Sequence, residues 1–208
     1  MLASRLRAPI DRWVKPLGRA IGRTGISPNA LTVAGALIVT AGTVVFAGTG
    51  HLAVGGLIVA VGGITDLFDG AVAKATGKVT RFGGFLDSTT DRISDGIFFS
   101  GIVWYLMHRP ATGPPLLGIP GREYPSAAVT LTLAVLVLGF LTSYLKAKAE
   151  AMDLRCDVGI AERGERILIA DAGVVFNRIV PALCLLLVLS AVTVGERYAV
   201  VWRQTRRP

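Results

Sequence analysis

Charge is scarce in this chain. Asp, Glu, Lys and Arg make up 17% of its 208 residues, against about 25% for an ordinary soluble domain, and the shortage argues against a water-soluble globule. Aromatic residues are also few, at 7%, and they show no stacking pattern. The surplus of 22 Lys and Arg over 14 Asp and Glu, a formal net charge of +8, is therefore not read as a nucleic-acid surface. Only Cys156 and Cys184 occur, with no metal-ligand spacing and no disulfide framework, so each is expected to be a free thiol. The two histidines, His51 and His108, stand near the ends of apolar runs, away from the acidic residues, and are expected to be interfacial. No apolar core precedes residue 30, so no cleavable signal is expected. Internal repeats, low-complexity tracts and a second soluble domain are likewise missing.

What the chain does contain is apolar sequence, 52% by composition. Several runs approach the roughly 20 residues that carry a helix across a bilayer. Six spans are expected, at about 30–47, 52–73, 85–107, 126–146, 165–176 and 181–201. The fifth is the shortest and carries Glu165, Arg166 and Asp171, so it must run through a protein-lined interior. Asp171 is expected to pair with a cation there. The expected fold class is thus an all-α integral membrane protein: a basic amphipathic juxtamembrane helix over 1–25, with Trp13, Val14 and Leu17 at helical spacing, then a six-helix membrane domain over 26–208.

Charge placement orients this layout. With six spans, one side holds Arg5, Arg7, Arg12, Lys15, Arg19, Arg23, Lys74, Lys78 and Arg81. It also holds Lys146, Lys148, Arg155, Arg163, Arg166, Arg203, Arg206 and Arg207. The other side keeps Arg109, Arg122 and Arg178, and its Pro- and Gly-rich loop at 109–125 reads as a connector. The asymmetry places both termini in the cytoplasm.

Against this apolar background, DLFDGAVAKATGKVTRFGGFLDSTTD (66–91) concentrates four aspartates. Asp66 and Asp69 are three apart and Asp87 and Asp91 four apart, so each pair shares one helix face. One pair ends the second expected span and the other begins the third, at the same cytoplasmic depth. Four converging carboxylates need positive charge among them. The neighbouring bases Lys74, Lys78, Arg81 and Arg92 are one source. Divalent cations such as Mg²⁺ or Mn²⁺, which favour all-oxygen ligands, are the other, and two of them would clamp phosphoryl oxygens. Gly70 beside Asp69, and Gly83 and Gly84 a turn before Asp87, leave bare backbone for a ligand and favour the second source. Asp95, four residues beyond Asp91, is expected to pack or to support the cluster rather than join it. A cation transporter could also carry intramembrane acids, but it does not account for the glycine spacing or for acids gathered at one depth.

The pattern Asp66-x-x-Asp69-Gly70-x-x-Ala73-Lys74, eight residues, Gly83-x-x-x-Asp87-x-x-x-Asp91 resembles the CDP-alcohol phosphotransferase family. It departs at Lys74, where the family usually has Arg; Lys keeps the charge but not the bidentate fork. The resemblance implies two divalent metals, one held by Asp66, Asp69 and Asp87 and the other by Asp66, Asp87 and Asp91, with Asp91 also the general base. It implies a CDP-linked lipid, CDP-diacylglycerol, held by Asn29, Ala30, Leu31, Thr32, Gly70, Ala73, Lys74 and Thr80. It further implies a homodimer in the cell (inner) membrane with a cytoplasmic active site.

A second stretch, SYLKAKAEAMDLRCDVGIAERGERILI (143–169), gathers cations where the fourth and fifth expected spans approach the cytoplasm. By itself it reads equally as a snorkelling anchor. S-Y-x-K-x-K-x-E followed by E-R-x-E-R, with RISDG after Asp91, resembles the actinobacterial phosphatidylinositol phosphate synthase subgroup. That implies inositol 1-phosphate as acceptor, its phosphate cradled by Ser143, Lys146, Lys148, Arg163 and Arg166, with Lys148 replacing a usual Arg. Arg203 or Arg206 could add to this set. Glycerol 3-phosphate is the alternative acceptor.

Overall fold

The computed structural model describes residues 16, 18, 20–108 and 125–206, the side chains of Leu67 and Pro125 excepted. Most of the expected juxtamembrane segment, including Trp13, Val14, Leu17 and Arg5, Arg7, Arg12, Lys15 and Arg19, lies outside the described residues. So do the connector at 109–124 with Arg109 and Arg122, and Arg207. Residues 16, 18 and 20–23 are helical, and six further helices follow: α1 (Pro28–Thr49), α2 (Leu52–Thr76), α3 (Arg81–His108), α4 (Pro125–Glu150), α5 (Arg163–Val175) and α6 (Ile179–Thr205). No strand occurs among the described residues.

Each expected span has a helix, but among the described residues only four stretches are long and apolar enough to cross a membrane: α1, α2, Ser126–Glu150 of α4, and α6. The expectation of six spans therefore stands only in this coarser form. Helix α3 has 28 residues, but its first fifteen carry Arg81, Asp87, Asp91, Arg92 and Asp95. Helix α5 has 13 residues, about 20 Å at 1.5 Å per residue, short of the ~30 Å apolar layer.

The chain divides into two compact units, Met1–Phe98 and Phe99–Pro208. In the first, Ser27 caps α1 by accepting the Ala30 N–H at 3.2 Å, with Pro28 opening the helix. Glycines let α1 and α2 approach at backbone distance. A Cβ on Gly42 would sit 2.6 Å from the Gly55 carbonyl oxygen, and one on Gly62 would sit 2.9 Å from that of Gly35. Gly35 and Gly42, like Gly55 and Gly62, are seven residues apart, so each pair recurs on one helix face. Further along α2, Gly18 and Gly22 pack on Ala71 and Thr76, each too close to admit a Cβ without movement. Gly77 ends α2 at φ 68°, and both its N–H and that of Lys78 reach the Ala73 carbonyl. Thr80 then caps α3, its Oγ1 accepting the Gly83 N–H at 2.9 Å. The ring of Phe98, on α3, meets Phe46 of α1 edge to face.

In the second unit, α4, α5 and α6 are linked by an irregular segment at 151–162 and a tight turn after α5. Thr132, Thr142 and Thr193 each return a hydroxyl proton to the carbonyl four residues back, which satisfies polar groups inside apolar helices. Cys156 is buried and Cys184 exposed, both as free thiols. His108 stacks on Trp104 and bonds its carbonyl oxygen. Asp171 is 5% exposed, and its Oδ1 has no hydrogen-bond partner among the described residues. The cation expected to pair with it is therefore not found at that oxygen.

Candidate active site

The cluster is built by a helix end, a turn and a helix start. Asp66 and Asp69 lie in the last three turns of α2, and Asp87 lies in the second turn of α3. One carboxylate oxygen from each of the three falls within 4.8 Å of the other two. Asp69 is buried, and Asp66 and Asp87 are half-buried. Such an all-oxygen set suits a hard divalent cation. The surroundings fit as well: open space lies beside Gly70 and Gly84, where a Cβ would meet nothing within 4 Å.

Asp91 is not among the three clustered acids. It stands one turn further along α3, with its Oδ2 3.3 Å from Arg92 Nη1. Arg92 Nη1 also donates to the Ser88 carbonyl at 2.9 Å, which fixes the guanidinium beside Asp91.

Thr32 does something the sequence did not reveal. Its Oγ1 donates to Asp69 Oδ2 at 2.5 Å, across 37 residues of chain, and is itself buried. A hydroxyl donor locks the rotamer of an acidic ligand in the way that outer-sphere partners commonly orient metal ligands. Replacing Thr32 by Val, which keeps the shape and removes the donor, should raise the Mn²⁺ concentration for half-maximal activity by about tenfold, and Thr32→Ser should restore it. A metal titration with both variants checks this; an unchanged requirement in Thr32→Val would confine Thr32 to packing.

The remaining candidate donor-binding residues spread along the same corner. A Cβ on Gly83 would lie 3.0 Å from Thr80 Oγ1 and 3.4 Å from Asn29 Oδ1, so Asn29 and Thr80 both border the start of α3. Ala30, Lys74 and Thr80 are exposed, while Leu31 and Ala73 are half-buried.

In the second unit, Lys146 is half-buried and Lys148 exposed on the last turns of α4. Arg163 opens α5 half-buried, and Arg166 is only 2% exposed. The Arg166 guanidinium lies against Gly139, where a Cβ would be 3.2 Å from Nε, and its Nη1 points to the Ala161 carbonyl at 3.5 Å. Ser143 sits one turn along α4 from that glycine and donates to its carbonyl at 3.2 Å. Of the tail cations, Arg206 is placed over the Trp202 ring at 4.0 Å. The buried one is Arg197, which the sequence analysis did not single out; its Nε donates to the Val158 carbonyl at 2.9 Å and its Nη1 to the Thr142 carbonyl. An arginine inside the apolar run of α6 was the available signal.

A CDP-alcohol phosphatidyltransferase family model matches residues 25–152, which include all four aspartates. The chain belongs to that family. A family relative from Mycobacterium marinum, named phosphatidylinositol phosphate synthase, is 38% identical over 205 residues, covering 94% of this chain and 82% of the relative. The family fold is shared with the crystal structure of Mycobacterium tuberculosis phosphatidylinositol phosphate synthase with CDP-DAG bound. That match has a TM-score of 0.77 and 34% identity, over 92% of this chain and 94% of the other. A complex of the same enzyme with manganese and citrate matches at TM-score 0.76 and 33% identity, over 91% and 88% of the two chains.

Proposed function

We propose that the chain transfers the phosphatidyl group of CDP-diacylglycerol to inositol 1-phosphate, giving phosphatidylinositol phosphate and CMP. The observation that carries the reading is the convergence of Asp66, Asp69 and Asp87 oxygens within 4.8 Å beside the open backbone of Gly70, in a chain whose relatives include proteins named phosphatidylinositol phosphate synthase. Asp66, Asp69, Asp87 and Asp91 would hold two divalent cations, Mg²⁺ or Mn²⁺. When bound, these neutralise charge on the pyrophosphate and on departing CMP.

The chain's own residues do the rest. Thr32 keeps Asp69 oriented, and Asn29, Ala30, Leu31, Gly70, Ala73, Lys74 and Thr80 border the cytidine diphosphate. Asp91 accepts the proton of the acceptor hydroxyl as its oxygen bonds to the lipid-linked phosphorus. The bond from that phosphorus to the CMP oxygen breaks, and CMP leaves with the electron pair. Ser143, Lys146, Lys148, Arg163 and Arg166 bind the acceptor's phosphate, whose charge calls for several cations.

The same reading includes six spans, the short α5 crossing through a protein-lined interior rather than against lipid. It places a basic segment at 1–25 on the membrane surface and the membrane domain at 26–208. Both termini and the active site face the cytoplasm across the cell (inner) membrane, and the enzyme works as a homodimer.

The test is a CMP-release assay with purified protein, CDP-diacylglycerol and Mn²⁺, offering inositol 1-phosphate and glycerol 3-phosphate side by side. Inositol 1-phosphate is expected to give the higher kcat/KM. A preference for glycerol 3-phosphate would reassign the acceptor, and no CMP release with any phosphorylated alcohol would overturn the enzymatic reading.

A further inference from the structure

The irregular segment at 151–162 is fastened to one face of α6 at three levels. Thr193 Oγ1 accepts the N–H groups of both Ile160 and Ala161 at 3.1 Å. Arg197, one turn on, takes the Val158 carbonyl at 2.9 Å. Gln204 makes a two-way pair with the Arg155 backbone, accepting from its N–H at 3.1 Å and donating to its carbonyl at 2.6 Å. Gly159 makes the tightest fit: φ is 136°, and a Cβ there would lie 2.4 Å from Thr193 Cγ2. A loop held this way has little freedom to reposition its side chains.

Asp157 lies between two of these anchors, at Arg155 and Val158. Its Oδ1 is 2.8 Å from Lys146 Nζ, and Glu150 approaches the same nitrogen at 3.9 Å. The hydrogen bond from Lys146, and then its charge, hold the Asp157 carboxyl below the usual carboxylate range. Lys146 is one of the cations assigned above to the acceptor phosphate, yet here it already has an anionic partner supplied by the chain.

We propose that Asp157 is a built-in counter-anion for Lys146, which the phosphate of the acceptor must displace, and that this exchange sets the acceptor affinity. The proposal rests on the reading that Lys146 binds that phosphate. The exchange is feasible because Asp157 is 76% exposed, and exposed ion pairs are weak. A phosphate monoester brings up to two negative charges and three acceptor oxygens, so it outcompetes one carboxylate. A neutral hydroxyl compound has nothing to offer Lys146 in exchange. Selection thus works partly by penalising the wrong ligand.

The test uses the full chain in detergent with Mn²⁺. It compares wild type, Asp157→Asn and Lys146→Gln for the KM of inositol 1-phosphate, the KM of CDP-diacylglycerol, and inhibition by inorganic phosphate. Asp157→Asn is expected to lower the inositol 1-phosphate KM and the phosphate inhibition constant together by about threefold, leaving the CDP-diacylglycerol KM unchanged. Lys146→Gln should raise the first two. If Lys146→Gln raises the acceptor KM while Asp157→Asn leaves it unchanged or higher, the counter-anion proposal is overturned and the acceptor assignment stands. If Lys146→Gln has no effect, the acceptor assignment fails at Lys146, and the proposal fails with it.

Discussion

Asp91→Asn is expected to bind CDP-diacylglycerol as the wild type does and to lose turnover by about a hundredfold or more, the range that general base catalysis contributes. Asn matches Asp in shape and still offers an oxygen, so the fold and the donor site are preserved, but it cannot take the acceptor proton. The structure sets Asp91 apart from its neighbours. Three aspartates bring oxygens within 4.8 Å of one another, whereas Asp91 lies a turn further on, with Arg92 Nη1 at 3.3 Å. Asp69→Asn should behave differently. It strikes a buried member of the cluster, so its defect should appear first as a raised metal requirement. CMP release in a single turnover, measured beside binding of the CDP-lipid, separates the two. Wild-type turnover in Asp91→Asn would remove that carboxylate from the chemistry.

Gly55→Ala should disrupt the fold where Gly63→Ala does not. A Cβ on Gly55 would stand 2.5 Å from Phe46 Cβ and 2.6 Å from the Gly42 carbonyl oxygen. Neither neighbour is the far end of a flexible side chain, so relief requires α1 and α2 to separate. Overpacking of this kind costs about 3 kcal/mol at the upper end of its usual range, equivalent to roughly 6–12 °C in thermal midpoint for a chain of this size. Gly63 lies in the same helix with nothing within 4 Å of its would-be Cβ, and Ala there should be neutral or slightly favourable to the helix. Thermal unfolding of both variants in detergent is the measurement, and equal midpoints would count against the close approach of α1 and α2. Because α1 carries Thr32 and α2 carries Asp66 and Asp69, Gly55→Ala should also lower activity.

Local rules made much of this legible in advance. The ends of the apolar runs mark the helices within a few residues. The shared face of each aspartate pair follows from helical periodicity, and the order of the apolar runs implies the hairpin that brings Asp87 toward Asp66 and Asp69. The span count was less secure, because a window of hydropathy cannot say whether Arg166 and Asp171 face protein or lipid, and α5 came out at 13 residues. Arg197 was overlooked for a related reason. The tail arginines Arg203 and Arg206 look more available in sequence, yet Arg206 lies over Trp202 while Arg197 reaches two backbone carbonyls from within α6.

The sequence by itself determined the helices, the acidic constellation and the family, because each rests on spacing within a few turns of one chain segment. Only the tertiary structure decided which groups meet across long stretches of chain. It gave the Thr32 hydroxyl to Asp69, seated the Arg166 guanidinium on Gly139, and set Asp157 against Lys146. Those partners depend on which helix faces pack and on how closely their glycines allow approach, and no local pattern encodes that.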